Sequence, residues 1–177
     1  MDYKERLRAF NGTEKYRKEM LFVRRNINPY YNYDVLDYGC GIGTFMNEFW
    51  TDGFDVNNYY TEQPTPKKSH FYLNELPDKK YSDITMIHSI AHIPNPIEVL
   101  KDLKTRYSAT ITVITPNRYW LMQQSNRDYK PDPTVHKHYT QHELKELFEE
   151  AGYEVTLIGQ FGELNNGVNE RIFLQAI

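Results

Sequence analysis

The chain reads as an α/β protein with a mostly parallel sheet that ends in an antiparallel pair of strands. Three observations predict this. Short apolar runs alternate with amphipathic helical stretches through most of the chain. The run Val35-Leu36-Asp37-Tyr38 leads straight into a glycine loop, Gly39-Cys40-Gly41-Ile42-Gly43. Two strand-like segments close the sequence with a gap short enough for a hairpin-like return.

Bulk properties narrow the class. At 177 residues the chain has the length of one domain with its own core. Its 40% hydrophobic and 25% charged content is that of a globular protein, not a disordered one. A net charge of −3 gives no overall pull toward nucleic acid or acidic membranes, though it leaves room for a local basic patch. The single cysteine, Cys40, allows no internal disulfide, so a cytoplasmic setting is expected. No run approaches the ~18 apolar residues of a membrane span, and Met1 to Phe22 lacks the apolar block of a signal peptide.

Residues 2–27 are predicted helical, with Asn11-Gly12-Thr13 as an interruption and Thr13 as the cap of a restart. Residues 1–28 thus form an N-terminal helical cap. Tyr33 to Tyr38 is the first strand, and Gly43 to Asp52 a helix bearing Phe45, Met46, Phe49 and Trp50. The second strand is placed at Phe54 to Tyr60, the third at His70 to Leu73 and the fourth at Ser82 to His88. Pro96 to Tyr107 is a helix, and Ala109 to Thr115 a β-branched fifth strand. Residues 116–139 read as a long polar loop on the substrate side. Thr140 to Ala151 is a helix with a Thr140/Glu143 capping box and Gly152 as its stop. Tyr153 to Gln160 and Glu170 to Ile177 are the last strands.

The glycine loop carries the chemistry. Glycines admit positive φ and let a ligand approach the backbone, and in an open α/β sheet the ligand lies beyond the strands' carboxyl ends. The Gly-x-Gly-x-Gly spacing differs from the Gly-x-Gly-x-x-Gly of dinucleotide sites. Asp37, two residues ahead, suits a cationic ligand group such as an ammonium better than a pyrophosphate. A dinucleotide enzyme and a plain structural turn remain the alternatives.

Asp37-Tyr38-Gly39-Cys40-Gly41-Ile42-Gly43 resembles the first motif of class I S-adenosylmethionine-dependent methyltransferases. Tyr81-Ser82-Asp83-Ile84-Thr85-Met86-Ile87-His88-Ser89-Ile90-Ala91-His92-Ile93-Pro94-Asn95-Pro96 resembles the fourth-strand segment of that family's small-molecule branch. Tyr139-Thr140-Gln141-His142-Glu143-Leu144 and Phe148-Glu149-Glu150-Ala151-Gly152-Tyr153 resemble its last helix and turn. The resemblance implies a single Rossmann-like three-layer sandwich with strand order 3-2-1-4-5-7-6. It implies S-adenosyl-L-methionine as cofactor and S-adenosyl-L-homocysteine as product. Asp37, Gly39, Cys40 and Gly41 would surround the methionine end, with His88 and Ser89 also on the cofactor.

Three departures from the family pattern stand out. With the second strand placed at residues 54–60, Tyr60 occupies the position of the acid that takes the ribose hydroxyls, and Glu62 is the nearest substitute. The helices between strands 2 and 4 are trimmed. Ala91-His92 stands where many relatives have Glu-His, so no metal site is expected although His88, His92, His136 and His138 are present.

Methyl transfer needs alignment, and a hydroxyl acceptor benefits from a base. His88, His92 and His138 are the candidate catalytic groups. The expected acceptor is a small or sugar-like molecule, methylated on O or N. A homo-oligomer is an open expectation, and no membrane is expected as a partner. Two other readings stand: a non-catalytic methyltransferase-fold binding module, and an RNA-directed methyltransferase using the histidines with Arg24-Arg25.

Overall fold

The computed structural model describes residue 5 and residues 13–26, 34–49, 51–58, 69–124 and 132–177. They fall into two compact units, residues 1–81 and 82–177. The strands are β1 (Val35–Tyr38), β2 (Asp52–Asp55), β3 (Phe71–Leu73), β4 (Asp83–Ile87), β5 (Thr110–Pro116), β6 (Val155–Asn165) and β7 (Val168–Ala176). Their order is β3-β2-β1-β4-β5-β7-β6, the Rossmann-like order expected, and β7 runs antiparallel to its neighbours β5 and β6.

In the first unit, helix α1 (Glu14–Asn26) starts where Thr13 caps it: its hydroxyl accepts from the Tyr16 N–H at 3.2 Å. Tyr16, Met20 and Val23 recur at helical spacing and are buried, as are Leu36, Ile42, Phe45, Met46 and Phe54. The helical expectation for residues 2–4 and 6–12 lies outside the described residues. Helix α2 (Thr44–Phe49) is shorter than the expected Gly43–Asp52, and β2 begins earlier than the expected Phe54. Asp52 explains the shift. A strand opening on an acid is unfavourable unless the carboxylate is satisfied. Asp52 is 2% exposed and accepts from the Tyr81 hydroxyl (2.8 Å), Lys79 Nζ (3.1 Å) and the His70 N–H (2.9 Å). All three donors lie at least 18 residues on, where periodicity cannot register them.

Gly53 permits the close packing of this unit. A Cβ there would meet Met46 Sδ at 2.6 Å and Cys40 Sγ at 2.9 Å. β1, β2 and β3 are parallel, with Asp37 opposite Gly53 and Gly53 opposite Phe71. No helix separates β3 from β4, as the trimmed pattern implies.

In the second unit, β4 and β5 pair in parallel over five residue pairs around the buried Ile84, Met86, Ile111 and Val113. Helix α3 (Pro96–Tyr107) has the expected bounds; proline at its start costs no hydrogen bond. The expected loop over 116–139 instead contains helix α4 (Arg118–Gln124). Its cap is Asn117, whose Oδ1 accepts from the Tyr119 N–H at 3.1 Å. Residues 125–131 lie outside the described residues. Helix α5 (Gln141–Glu150) carries the expected reciprocal capping box. β6 runs on to Asn165 past its expected end at Gln160, β7 begins at Val168 ahead of the expected Glu170, and the two turn at Asn166-Gly167, with φ of 46° and 80°. That dipeptide takes the left-handed conformations of a two-residue hairpin turn.

Candidate functional site

The first unit assembles its groups at the carboxyl ends of β1 and β2. Gly39, Gly41 and Gly43 hold φ of 78°, 55° and 81°, a region that costs other residues roughly 1–2 kcal/mol. The Gly39 and Cys40 N–H groups both donate to the Phe54 carbonyl, at 2.7 and 3.0 Å. The Gly43 N–H donates to the Cys40 carbonyl at 2.8 Å. The Gly41 N–H donates to Asp55 Oδ2 at 2.9 Å. Four of the loop's amides, those of residues 39, 40, 41 and 43, are therefore spent inside the chain. A phosphate cradle works the other way, with amides aimed outward. This loop sits among carboxylates and suits a cation.

Asp55 is a candidate residue that sequence reasoning missed. With β2 at Asp52–Asp55, the acid at the strand end is Asp55. Tyr60 and Glu62 lie outside the described residues. Asp55 Oδ1 also accepts from the Asn57 N–H at 2.8 Å, and the Val56 amide and the Asn57 side chain add to the pull on the carboxylate. Burial pushes the Asp55 pKa up, against the opposing pull of these amides. The signal was present in Asp52-Gly53-Phe54-Asp55, but two acids in four residues do not read as a buried strand.

Asp37 is 2% exposed on β1. Cys40 is buried, and desolvation together with the charges of Asp37 and Asp55 drives its thiol pKa far up. It is held as a neutral thiol, a packing group and not a nucleophile. Burial likewise raises the Tyr16 hydroxyl, helped by Glu48, Asp37 and Glu19. Helix α1 therefore adds Tyr16 and Glu19 to the acidic surroundings of Asp37.

The second unit brings the histidines together. His88 follows β4 with φ of 60°, an uncommon conformation for a non-glycine residue, while its N–H donates to the Ile114 carbonyl at 2.8 Å. Ser89 is 9% exposed; its hydroxyl neither caps the following turn nor finds another hydrogen-bond partner among the described residues. Such an orphaned buried hydroxyl fits a ligand-facing role. Ile90–His92 form a 3₁₀ turn. The Ala91 carbonyl accepts from both His136 and Lys137 N–H groups, at 2.9 and 3.2 Å, which ties residues 136–137 to that turn. Ala91 itself is 2% exposed, so a small side chain fits this closed position.

His92 Nδ1 meets Thr134 at two points: 3.2 Å from its carbonyl and 2.9 Å from its hydroxyl. Burial lowers the His92 pKa, as do His88 and His136, against the Thr134 carbonyl and Asp132. Burial, then His92, lowers that of His138, against Asp132. Both imidazoles are thereby held neutral near pH 7. Their candidate partner His88 belongs to the same cluster, whereas His70 and His142 are exposed and pair with Asp52 and Glu146. Among the described residues, no three His, Cys, Asp or Glu side chains form a metal-ligand set. No helix among them is long and apolar enough to cross a membrane.

Residues 3–158 match the family model described as "Methyltransferase domain". No curated protein matches at a significant level. Among solved structures, a SAM-dependent methyltransferase from Aquifex aeolicus is 19% identical with a TM-score of 0.75, covering 99% of this chain and 98% of its own. A magnesium protoporphyrin IX methyltransferase from Synechocystis, solved with bound SAH, is 12% identical with a TM-score of 0.62, over 90% of this chain and 80% of its own. A chain of the Pnkp1/Rnl/Hen1 RNA repair complex is 17% identical with a TM-score of 0.67, over 93% of this chain and 41% of its own.

Proposed function

Because the chain belongs to the methyltransferase-domain family, we propose that it moves the methyl group of S-adenosyl-L-methionine to an oxygen or nitrogen of a small or sugar-like acceptor. S-adenosyl-L-homocysteine is then the product. The observation that carries this reading is the acid-lined glycine loop whose amides are spent internally, matched to a ligand bearing an ammonium. The bound cofactor supplies an electrophilic methyl on a sulfonium; the residues bind, orient and move a proton.

Asp37 takes the methionine ammonium, with Gly39, Cys40 and Gly41 forming the backbone wall beside it. Asp55 takes the ribose hydroxyls, so the role assigned to Tyr60 or Glu62 passes to it. Its place at the end of β2 supports the catalytic reading over a non-catalytic module. Ser89 offers its hydroxyl to the cofactor, and His88, beside it, shares that role. His88, His92 and His138 are the groups available to accept a proton from the acceptor. An RNA acceptor has only a shared fold in its favour.

Calorimetry tests the reading. The expected result is binding of both S-adenosyl-L-methionine and S-adenosyl-L-homocysteine. Asp37→Ala and Asp55→Ala each remove a charged hydrogen-bond acceptor worth about 2 kcal/mol or more, roughly a thirtyfold rise in Kd. No binding of either ligand at millimolar concentration by the wild-type chain sinks the proposal. Wild-type affinity in Asp55→Ala returns the ribose role to residues 60–62.

A further inference from the structure

We infer that Asp132 and Thr134 are positioning residues that lock His92 in its Nδ1–H tautomer, leaving Nε2 as the basic nitrogen. The assignment follows from counting protons. The Thr134 carbonyl, 3.2 Å from His92 Nδ1, accepts only, so Nδ1 must donate. The Thr134 hydroxyl gives the same answer by a separate route. Its oxygen lies 2.7 Å from Asp132 Oδ1, and an ionised carboxylate only accepts, so the hydroxyl proton points to Asp132. The oxygen then has only lone pairs to offer His92 Nδ1 at 2.9 Å. Asp132 Oδ1 also accepts from the Thr134 N–H at 2.9 Å, which fixes the carboxylate in place.

The arrangement is a carboxylate–hydroxyl–imidazole relay with threonine interposed between acid and base. It places a negative charge where an imidazolium would feel it, while His88, His136 and His138 surround the ring with groups that disfavour a second charge. His92 therefore starts neutral, with the Asp132 charge already in place behind Thr134 to stabilise the imidazolium once a proton arrives.

This deepens the proposed function and rests on it for its chemical use. For a hydroxyl acceptor, the acceptor oxygen bonds to the methyl carbon and the electron pair of the breaking S–C bond stays on sulfur, leaving a neutral thioether. The hydroxyl proton passes to His92 Nε2. Among the three candidate histidines, His92 is the one whose tautomer is set by fixed acceptors on the described residues.

The test is long-range ¹H–¹⁵N correlation of the histidine rings in the ¹⁵N-labelled full chain above neutral pH. His92 is assigned by the signals lost in His92→Gln. The wild type is expected to show a protonated Nδ1 and a pyridine-type Nε2. Asp132→Ala removes both the charge and the acceptor of the Thr134 hydroxyl proton, which then turns toward the ring, so the Nε2–H population rises and His92 titrates at lower pH. Thr134→Val produces a smaller shift in the same direction, and Thr134→Ser restores the wild-type pattern. A predominant Nε2–H tautomer in the wild type overturns the inference. So does an unchanged tautomer and titration in both Asp132→Ala and Thr134→Val. Calorimetry with S-adenosyl-L-homocysteine on the same samples separates the two claims. Binding without the tautomer signature removes the relay alone, and the signature without binding removes the cofactor reading alone.

Discussion

The two units hold their functional groups by different means. In the first, two four-residue strands carry the buried acids Asp37, Asp52 and Asp55, and the nearby Gly41 and Asn57 amides set the position of Asp55. In the second, strands of up to eleven residues and a helix with a reciprocal capping box form a frame, and the His92 imidazole is set by a segment 42 residues away in sequence. The first unit is compact because Gly53, Cys40 and Met46 leave no room for a methyl group. The second is built from longer, regular elements. Carboxylates near the glycine loop therefore depend on tight local packing, while His92 depends on how a distant segment docks.

Gly53→Ala strikes that contrast hardest. The added methyl must displace Met46 and Cys40 together, which is expected to lower stability by about 1–3 kcal/mol. Because Cys40 belongs to the glycine loop, the same variant is expected to weaken S-adenosyl-L-homocysteine binding. Urea unfolding and calorimetry read the two effects, and a fully stable variant with intact binding would show that the loop is not held by this packing.

Thr140→Ala acts on the regular unit. It removes the hydroxyl that accepts from the Glu143 N–H at 3.2 Å and is expected to cost ~1 kcal/mol in urea unfolding. The cofactor affinity is expected to stay unchanged, since the loss is confined to the start of α5. A loss of affinity equal to that in Gly53→Ala would erase the distinction between the units.

The smallest expected effect is on pH dependence. The folded pKa values of His92 and His138 lie below the unfolded value of about 6.5, so the unfolded chain binds more protons in the interval between them. Stability is then complete above that value and declines as pH falls through it toward the folded pKa values. A His92→Gln/His138→Gln double variant is expected to flatten this part of the curve. An equal slope in the variant would assign the acid sensitivity to other groups.

The sequence by itself determined the place of the glycine loop, the bounds of α3 and the capped start of α5, while the strand order followed from the family resemblance. Each of the first three depends on residues within a few positions of one another: Gly39 to Gly43, proline at the start of α3, Thr140 with Glu143. Tertiary structure alone decided the limits of β2. Asp52 can open a buried strand only because Tyr81, Lys79 and the His70 amide reach it. That placement moved the strand-end acid from an apparent absence at Tyr60 to Asp55. Tertiary structure also decided which nitrogen of His92 carries the proton, because the acceptors come from Thr134, across the fold. Spacing records contacts along one element; it holds no record of a hydrogen-bond partner brought in by folding.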